Sequence, residues 1–400
     1  MAETDTLSPR QLWTIATAAW ATSMIAAGFA FVGPVLILLL ERMTGSGTFI
    51  GAFATVGAVT TVTLTPLAPR LMSRVRAPVI VSVGCLGAAM CFPLFHLVAD
   101  PVWWFAIRFA QGLFLTVVFV VCETWINTIA PERLRGRILG AYGICLAGGL
   151  GLGAAAAALL IQTVGLEGWL PFAIGAAIVG AGVLPLLARR HLPMDAPSAH
   201  DSSLAVMASI MRGSPGLFAA VFAFGAIEYS LFHMVPVFGV RRGFAEGAAA
   251  LLLLGMPLGN VLLNYPIGAL ADRLPRPRVL VGLFAACIAT GLALAVLSHY
   301  WALMAALAVF VGVATGLYTV GLAMLSERHS GGRMAAANSS FILMYGVGSL
   351  VSPLVIGAGF DAVGPSALPL VLSALAGVGL VVFLATEGRG PRLPATASRG

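Results

Sequence analysis

Arg108, Glu123, Glu228 and His233 are ionisable side chains set inside long apolar runs. A polar group at lipid depth is costly, so a functional role is its first reading. Glu228 is the sharpest case. Its run opens near Gly216, which puts the carboxyl group about 12 residues, roughly 18 Å, along a helix and close to the middle of a bilayer. An acid there can load a proton on one side and release it on the other, or pair with a cationic substrate. Tyr229 follows it directly, and His233, at about 100° per residue, stacks over Tyr229 rather than Glu228. That histidine is a second candidate to share the cavity and a proton. Arg108 sits about seven residues into its run, counted from the end away from the chain termini. A guanidinium at that depth needs a carboxylate, backbone carbonyls or an anionic substrate. Glu123 lies on the same run, about 22 Å further along, too far to pair with Arg108 within one helix. It is expected to be a gate residue, pairing with Arg70, Arg74 or Arg137 when that side closes.

Gln111, Tyr229, Asn260, Asn264, Tyr318, Asn338 and Tyr345 are further polar side chains that could line a substrate path, with Tyr265 beside them. The competing reading for each is a hydrogen bond between neighbouring helices. The pairs Gly149/Gly153, Gly255/Gly259 and Gly312/Gly316 have the GxxxG spacing that lets two helices approach closely. Gly148–Gly153 does not read as a nucleotide loop, because no strand precedes it and its surroundings are helical and apolar. No Walker motif, HExxH or nucleophile elbow occurs. The five cysteines (Cys85, Cys91, Cys122, Cys145, Cys287) lie in apolar stretches without metal-ligand spacing and read as small buried groups. Enzyme chemistry, a metal and a cofactor are therefore not expected.

The elements that must hold these groups follow from composition. The 400 residues are 60% hydrophobic and 9% charged, against roughly 25% charged in a soluble domain. So few charges cannot cover a water-soluble surface of this size. Apolar windows separated by charged or turn-rich breaks give twelve spans, near 13–40, 48–68, 78–98, 101–129, 137–164, 169–188, 216–239, 245–270, 279–298, 301–325, 334–360 and 366–385. They must be helices, since lipid offers no partner to open backbone groups and the alternation of a barrel is absent. The first run is too long for the apolar core of a signal peptide and reads as a retained span.

Every one of the 22 basic residues is Arg. A net charge of +7 could suggest nucleic acid, but that requires a contiguous basic face, and these arginines sit in short clusters between spans. Eighteen of the 22 fall on the side that carries both termini, Arg42, Arg241 and Arg242 fall opposite, and Arg108 lies within a span. The positive-inside rule then places both termini in the cytoplasm. Absence of Lys suggests a high-GC bacterial genome and hence an inner membrane. The longest polar interval joins two halves, so the expected organisation is 1–188 as one six-helix bundle, 189–214 as a cytoplasmic linker with a short amphipathic stretch, 215–388 as a second bundle, and 389–400 as a tail.

Matching features recur between the halves. Gly33-Pro34-Val35 corresponds to Val235-Pro236-Val237 at an offset of 202, Leu67–Leu71 to Leu270–Leu274 at 203, and Gly136-Arg137 to Gly332-Arg333 at 196. Their common order and span positions argue for a six-plus-six repeat. On these features the chain resembles the major facilitator superfamily over nearly its whole length. The family's loop signature, G-x-L-x-D-R-x-x-R-x-R, stands almost intact after the eighth span, with Gly268, Leu270, Asp272, Arg273, Arg276 and Arg278 in place. The copy after the second span departs from it, with Thr65 for the glycine and Pro69 for the acid. R-x-x-Q-G in the fourth span matches Arg108, Gln111 and Gly112, and the resemblance associates that arginine with proton transfer. The antiporter signature G-P-x-x-G-G of the fifth span is not present as such.

The resemblance implies an all-α fold of twelve transmembrane helices in two six-helix bundles, related by a pseudo-two-fold axis along the membrane normal. It also implies a cytoplasmic gate at Gly268, Asp272, Arg273 and Arg276, joined by Glu123, Arg70, Arg74 and Arg137. The expected function is proton-coupled export of a small drug or metabolite by alternating access, by a monomer whose partners are substrate, protons and lipid. Two alternatives stand beside it: uptake of an anionic metabolite with Arg108 as its ligand, and a non-transporting scaffold or sensor that recruits a partner through the linker.

Overall fold

The structure, a computed structural model, describes residues 7–64, 67, 71–188, 204–329 and 332–387. Arg70 and most of the 189–214 linker, like the 389–400 tail, lie outside these residues. The described residues form helices and turns without a strand. The first six long helices are α1 (Pro9–Thr44), α2 (Gly47–Leu64), α3 (Ala77–Leu97), α4 (Trp104–Ile129), α5 (Glu132–Thr163) and α6 (Leu170–Leu187). A short helix, α7 (Leu204–Gly213), precedes the second set: α8 (Pro215–Arg241), α9 (Glu246–Arg273), α10 (Arg276–Val296), α11 (Tyr300–Arg328), α12 (Gly332–Val363) and α13 (Ala367–Thr386).

Local sequence explains where these helices start and stop. Ser8 caps α1 in a capping box with Gln11, followed by Pro9 at the first helical position. Gly45, at φ 60°, ends the same helix in a left-handed turn that a residue with Cβ enters at a cost. Ala336–Thr386 reads as one apolar segment of 51 residues, far longer than the about 20 needed to cross a bilayer. Gly364, at φ 75°, breaks it into α12 and α13 through a 3-10 turn. Among the described residues, twelve helices long enough to span a bilayer result.

Contacts between the two sets follow a two-fold pattern. The second helix of the first set, α2, packs on α12, the fifth of the second; α5, the fifth of the first, packs on α9, the second of the second. Small residues permit these approaches. The carbonyl of Pro353 and the backbone of Gly357 stand where a Cβ on Gly51 or Gly47 would be, so α2 and α12 meet backbone to backbone. Within the sets the GxxxG glycines do the same: Gly149 and Gly153 meet the Ser23 and Ala27 carbonyls of α1, and Gly259 of α9 meets the Ala308 carbonyl of α11. The core is continuous from Ala18 to Phe383 and almost wholly apolar.

Candidate functional site

The side on which α1 begins and α13 ends is the near side; the other is the far side. A cavity of about 970 Å³ lies between the two sets of helices. It runs from Phe29, Arg108 and Tyr229 to Glu123, Asn127 and Thr128, near the end of α4, so it opens on the near side. Thr60, Thr61, Thr116 and Thr124 line it from the first set. Phe224, Glu228, Tyr318 and Tyr345 face it from the second.

Glu228 lies 13 residues into the 27-residue α8, hence near the middle of the span. The Tyr345 hydroxyl of α12 donates to its Oε2 at 3.0 Å. Tyr345 in turn packs on Phe224, ring centroids 5.6 Å apart, and Phe224 packs on Tyr318 at 5.2 Å. An aromatic wall thus fixes the acid's partner.

Arg108 forms the far end of the cavity. Helix α4 starts at Trp104, behind a turn at Asp100 and Pro101, so Arg108 lies four residues in rather than the seven expected from the apolar run. It is 4% exposed. Its Nη1 donates to Gln111 Oε1 at 2.9 Å, and its Nη2 meets His233 Nε2 at 3.1 Å. A guanidinium has only donors, so His233 Nε2 accepts, and its Nδ1–H is left to donate to the Tyr229 carbonyl at 2.9 Å. That pattern is the neutral imidazole. The guanidinium also lies over the Phe29 and Phe53 rings, 5.1 and 5.7 Å from their centroids, an attraction of about 1–2 kcal/mol in a dry site. No carboxylate lies within ion-pair distance of it among the described residues. Arg108 Nε and Gln111 Nε2 are buried without a hydrogen-bond partner. A buried charge lacking its counter-charge costs on the order of several kcal/mol.

These contacts cross between the two sets of helices. Arg108 and Gln111 belong to α4 and His233 to α8. Tyr229, on α8, donates its hydroxyl to the Ala54 carbonyl of α2 at 2.9 Å.

The far side is closed by ion pairs that sequence reasoning left among the loop charges. Arg42, at the end of α1, makes a two-pronged pair with Glu246 of α9, 2.6 and 2.7 Å. Arg241, at the end of α8, does the same with Glu41 of α1, 2.7 and 3.0 Å, and also reaches Asp361 at 3.6 Å. The signal that could have found them is positional. Glu41-Arg42 and Arg241-Arg242 stand 200 residues apart, each at the far end of the first helix of its set.

The other expected site residues scatter. Glu123 faces the mouth of the cavity and is in no ion pair among the described residues. Arg74 and Arg137 are exposed, and Gly268, Asp272 and Arg273 lie on the open near side. Arg276 pairs with Glu327, both within the second set. Asn260 accepts from Thr315 Oγ1 at 2.5 Å, joining α9 to α11. Asn264 and Asn338 are exposed and outside the cavity lining, and Tyr265 is 83% exposed. No group of His, Cys, Asp or Glu among the described residues is placed to hold a metal ion.

Comparison with known proteins adds the following. The family model described as Major Facilitator Superfamily matches residues 18–259 and 243–399. The uncharacterized MFS-type transporter YcaD of Escherichia coli strain SE11 is 26% identical over 319 residues, 79% of each chain. Its Escherichia fergusonii counterpart is 28% identical over 280 residues, 69% of each. Among solved structures, the nucleoside transporter NupG superposes with a TM-score of 0.73 at 15% identity, covering 95% of this chain and 99% of that one. An inward-facing, unoccupied bacterial homolog of the human lysosomal transporter Spinster superposes with a TM-score of 0.68 at 15% identity, covering 95% of each.

Proposed function

The chain belongs to the major facilitator superfamily, a family of membrane transporters and not of enzymes, and we propose that it is a proton-coupled secondary transporter exporting a small organic molecule by alternating access. One observation carries the reading: Glu228, held by Tyr345, lines a cavity between the two sets of helices that is closed on one side only. Support for the orientation comes from the arginines, most of which lie on the open side. With both termini in the cytoplasm of a bacterial cell, the structure is the inward-open state of an inner-membrane protein. The same reasoning divides the chain into bundles 1–188 and 215–388.

In this scheme substrate enters from the cytoplasm while Glu228 is ionised. Rocking of the bundles breaks the far-side ion pairs and joins the near-side gate, where Glu123 meets the clustered arginines. Glu228 then takes a proton from outside, substrate leaves, and the protonated carrier returns to release its proton inward. Arg108 and His233, touching across the bundles, separate in the outward state.

Flux into proteoliposomes under an imposed pH gradient tests this. Glu228→Gln should carry substrate without responding to the gradient. Gradient-dependent flux in that variant equal to wild type would remove Glu228 from the coupling.

A further inference from the structure

We infer that Arg108, with Gln111 behind it, forms the substrate's anchoring site, and that the substrate is an organic anion carrying a single carboxylate on an apolar, ring-bearing body. The inference rests on the transporter reading and adds its substrate class.

The geometry that points there is a deficit. Arg108 lines the cavity yet is almost wholly buried, and the polar side chains it contacts, Gln111, His233 and Tyr229, are neutral. The hydrogen-bond pattern leaves His233 uncharged, so it supplies no compensation. Two buried donors in this corner have no acceptor, Arg108 Nε and, behind it and outside the cavity lining, Gln111 Nε2. A bundle interior that leaves one positive charge and two N–H groups unmatched is complementary to one negative charge with acceptor oxygens. A carboxylate supplies both, and its single charge equals the deficit.

The rest of the cavity describes the body. Phe29 stacks on Phe232 with centroids 4.8 Å apart and presents its other contacts to Arg108 and His233. Phe224, Tyr318 and Tyr345 form a second aromatic wall. With Phe119 and Tyr229 these residues make the cavity lining rich in aromatic side chains, a surface that suits an aryl ring. Glu228 also lines the cavity, but neither it nor any other carboxylate lies within ion-pair distance of Arg108 among the described residues.

Gln111→Glu is the discriminating variant. It places a carboxylate beside Arg108 and fills the deficit from within.

The test measures equilibrium binding of radiolabelled benzoate, phenylacetate and cinnamate to the full chain in lipid nanodiscs. Wild type should bind at least one of them saturably, with benzamide, benzylamine and inorganic phosphate failing to displace it. Arg108→Gln should weaken binding about tenfold or more, the loss of a charge-assisted pair. Gln111→Glu should abolish binding while the protein stays folded, and this arm stands if Arg108→Gln fails to fold. No saturable binding of any of the three, equal displacement by benzamide, displacement by phosphate, or undiminished binding in Gln111→Glu would each overturn the inference. If carboxylate binding fails while some other compound still moves with the pH gradient, the anion site falls and the transporter reading stands. If carboxylates bind but flux ignores the gradient, the reverse holds.

Discussion

Asp361 of α12 accepts the Gly47 backbone N–H at 2.6 Å, so a carboxylate from the second set of helices caps the first turn of a helix in the first. The same side chain takes the Thr48 N–H and hydroxyl, both at 2.8 Å, and the Ser46 hydroxyl at 3.1 Å. The start of a helix presents unsatisfied N–H groups and a positive dipole end, and an acid is the residue that answers both. Here the answer comes from another bundle. The cap therefore requires the two sets of helices to be in contact at the far side.

Asp361→Ala is accordingly expected to favour the far-open state. Losing an acidic cap costs about 1–2 kcal/mol, at the lower end because Asp361 is partly exposed. That shifts the ratio of closed to open by about fivefold. Spin labels at Met43→Cys and Ala245→Cys, in a chain without its native cysteines, would report the shift as a longer distance. An unchanged distance distribution would show that the cap does not hold the far side.

The pair between Glu41 and Arg241 offers a second handle, since both side chains are mostly buried, 16% and 15% exposed. Arg241→Glu alone places two acids together with Asp361 beside them and should open the far side strongly. Adding Glu41→Arg restores opposite signs and should recover much of the closed population. A coupling energy of about 1–3 kcal/mol is expected from the double-mutant cycle on those label distances. A coupling near zero would mark the pair as incidental.

What could be seen in advance, and what could not, has a physical division. Span number, breaks and the depth of Glu228 follow from lengths of apolar sequence, because the bilayer imposes a length. Tyr229 and His233 were placed together by helical spacing alone, and their rings lie 4.4 Å apart. The direction each polar residue faces was not legible. In a membrane bundle the lipid face and the packed face are both apolar, so the pattern that orients a helix in water is lost. Asn260 was expected in the substrate path and instead joins α9 to α11, while Tyr265, one turn further, faces outward. The partnerships of Glu228 with Tyr345, 117 residues away, and of Arg108 with His233, 125 away, depend on packing between distant helices. The far-side latch was missed for another reason: charges at span ends also serve as topology signals, and that reading was sufficient for them.

Gly57 makes a prediction about the cavity's far end. A Cβ there would lie 2.6 Å from the Tyr229 hydroxyl and 3.2 Å from an Arg108 terminal nitrogen. Gly57→Ala should therefore push Tyr229 off the Ala54 carbonyl and disturb the contact between bundles. A neutral hydrogen bond is worth about 1–1.5 kcal/mol, so transport should slow by about tenfold. Helix content and thermal stability should hold, because alanine is the better helix former. Wild-type flux in this variant would show that the Tyr229 anchor is dispensable.

Two glycines five residues apart on α5 separate packing from mere sequence pattern. A Cβ on Gly153 would stand 2.2 Å from the Ala27 carbonyl of α1, a backbone atom that cannot swing aside, whereas one on Gly148 would meet nothing within 4 Å. Gly153→Ala must push α1 and α5 apart, an overpacking cost of about 1–3 kcal/mol. Gly148→Ala only restricts the unfolded chain and should be neutral or stabilising by about 0.4–1 kcal/mol. Thermal unfolding of the two variants in the same detergent should move in opposite directions. Equal losses would mean that α5 is strained along its whole length; equal stability would mean that α1 and α5 are not in backbone contact at Gly153.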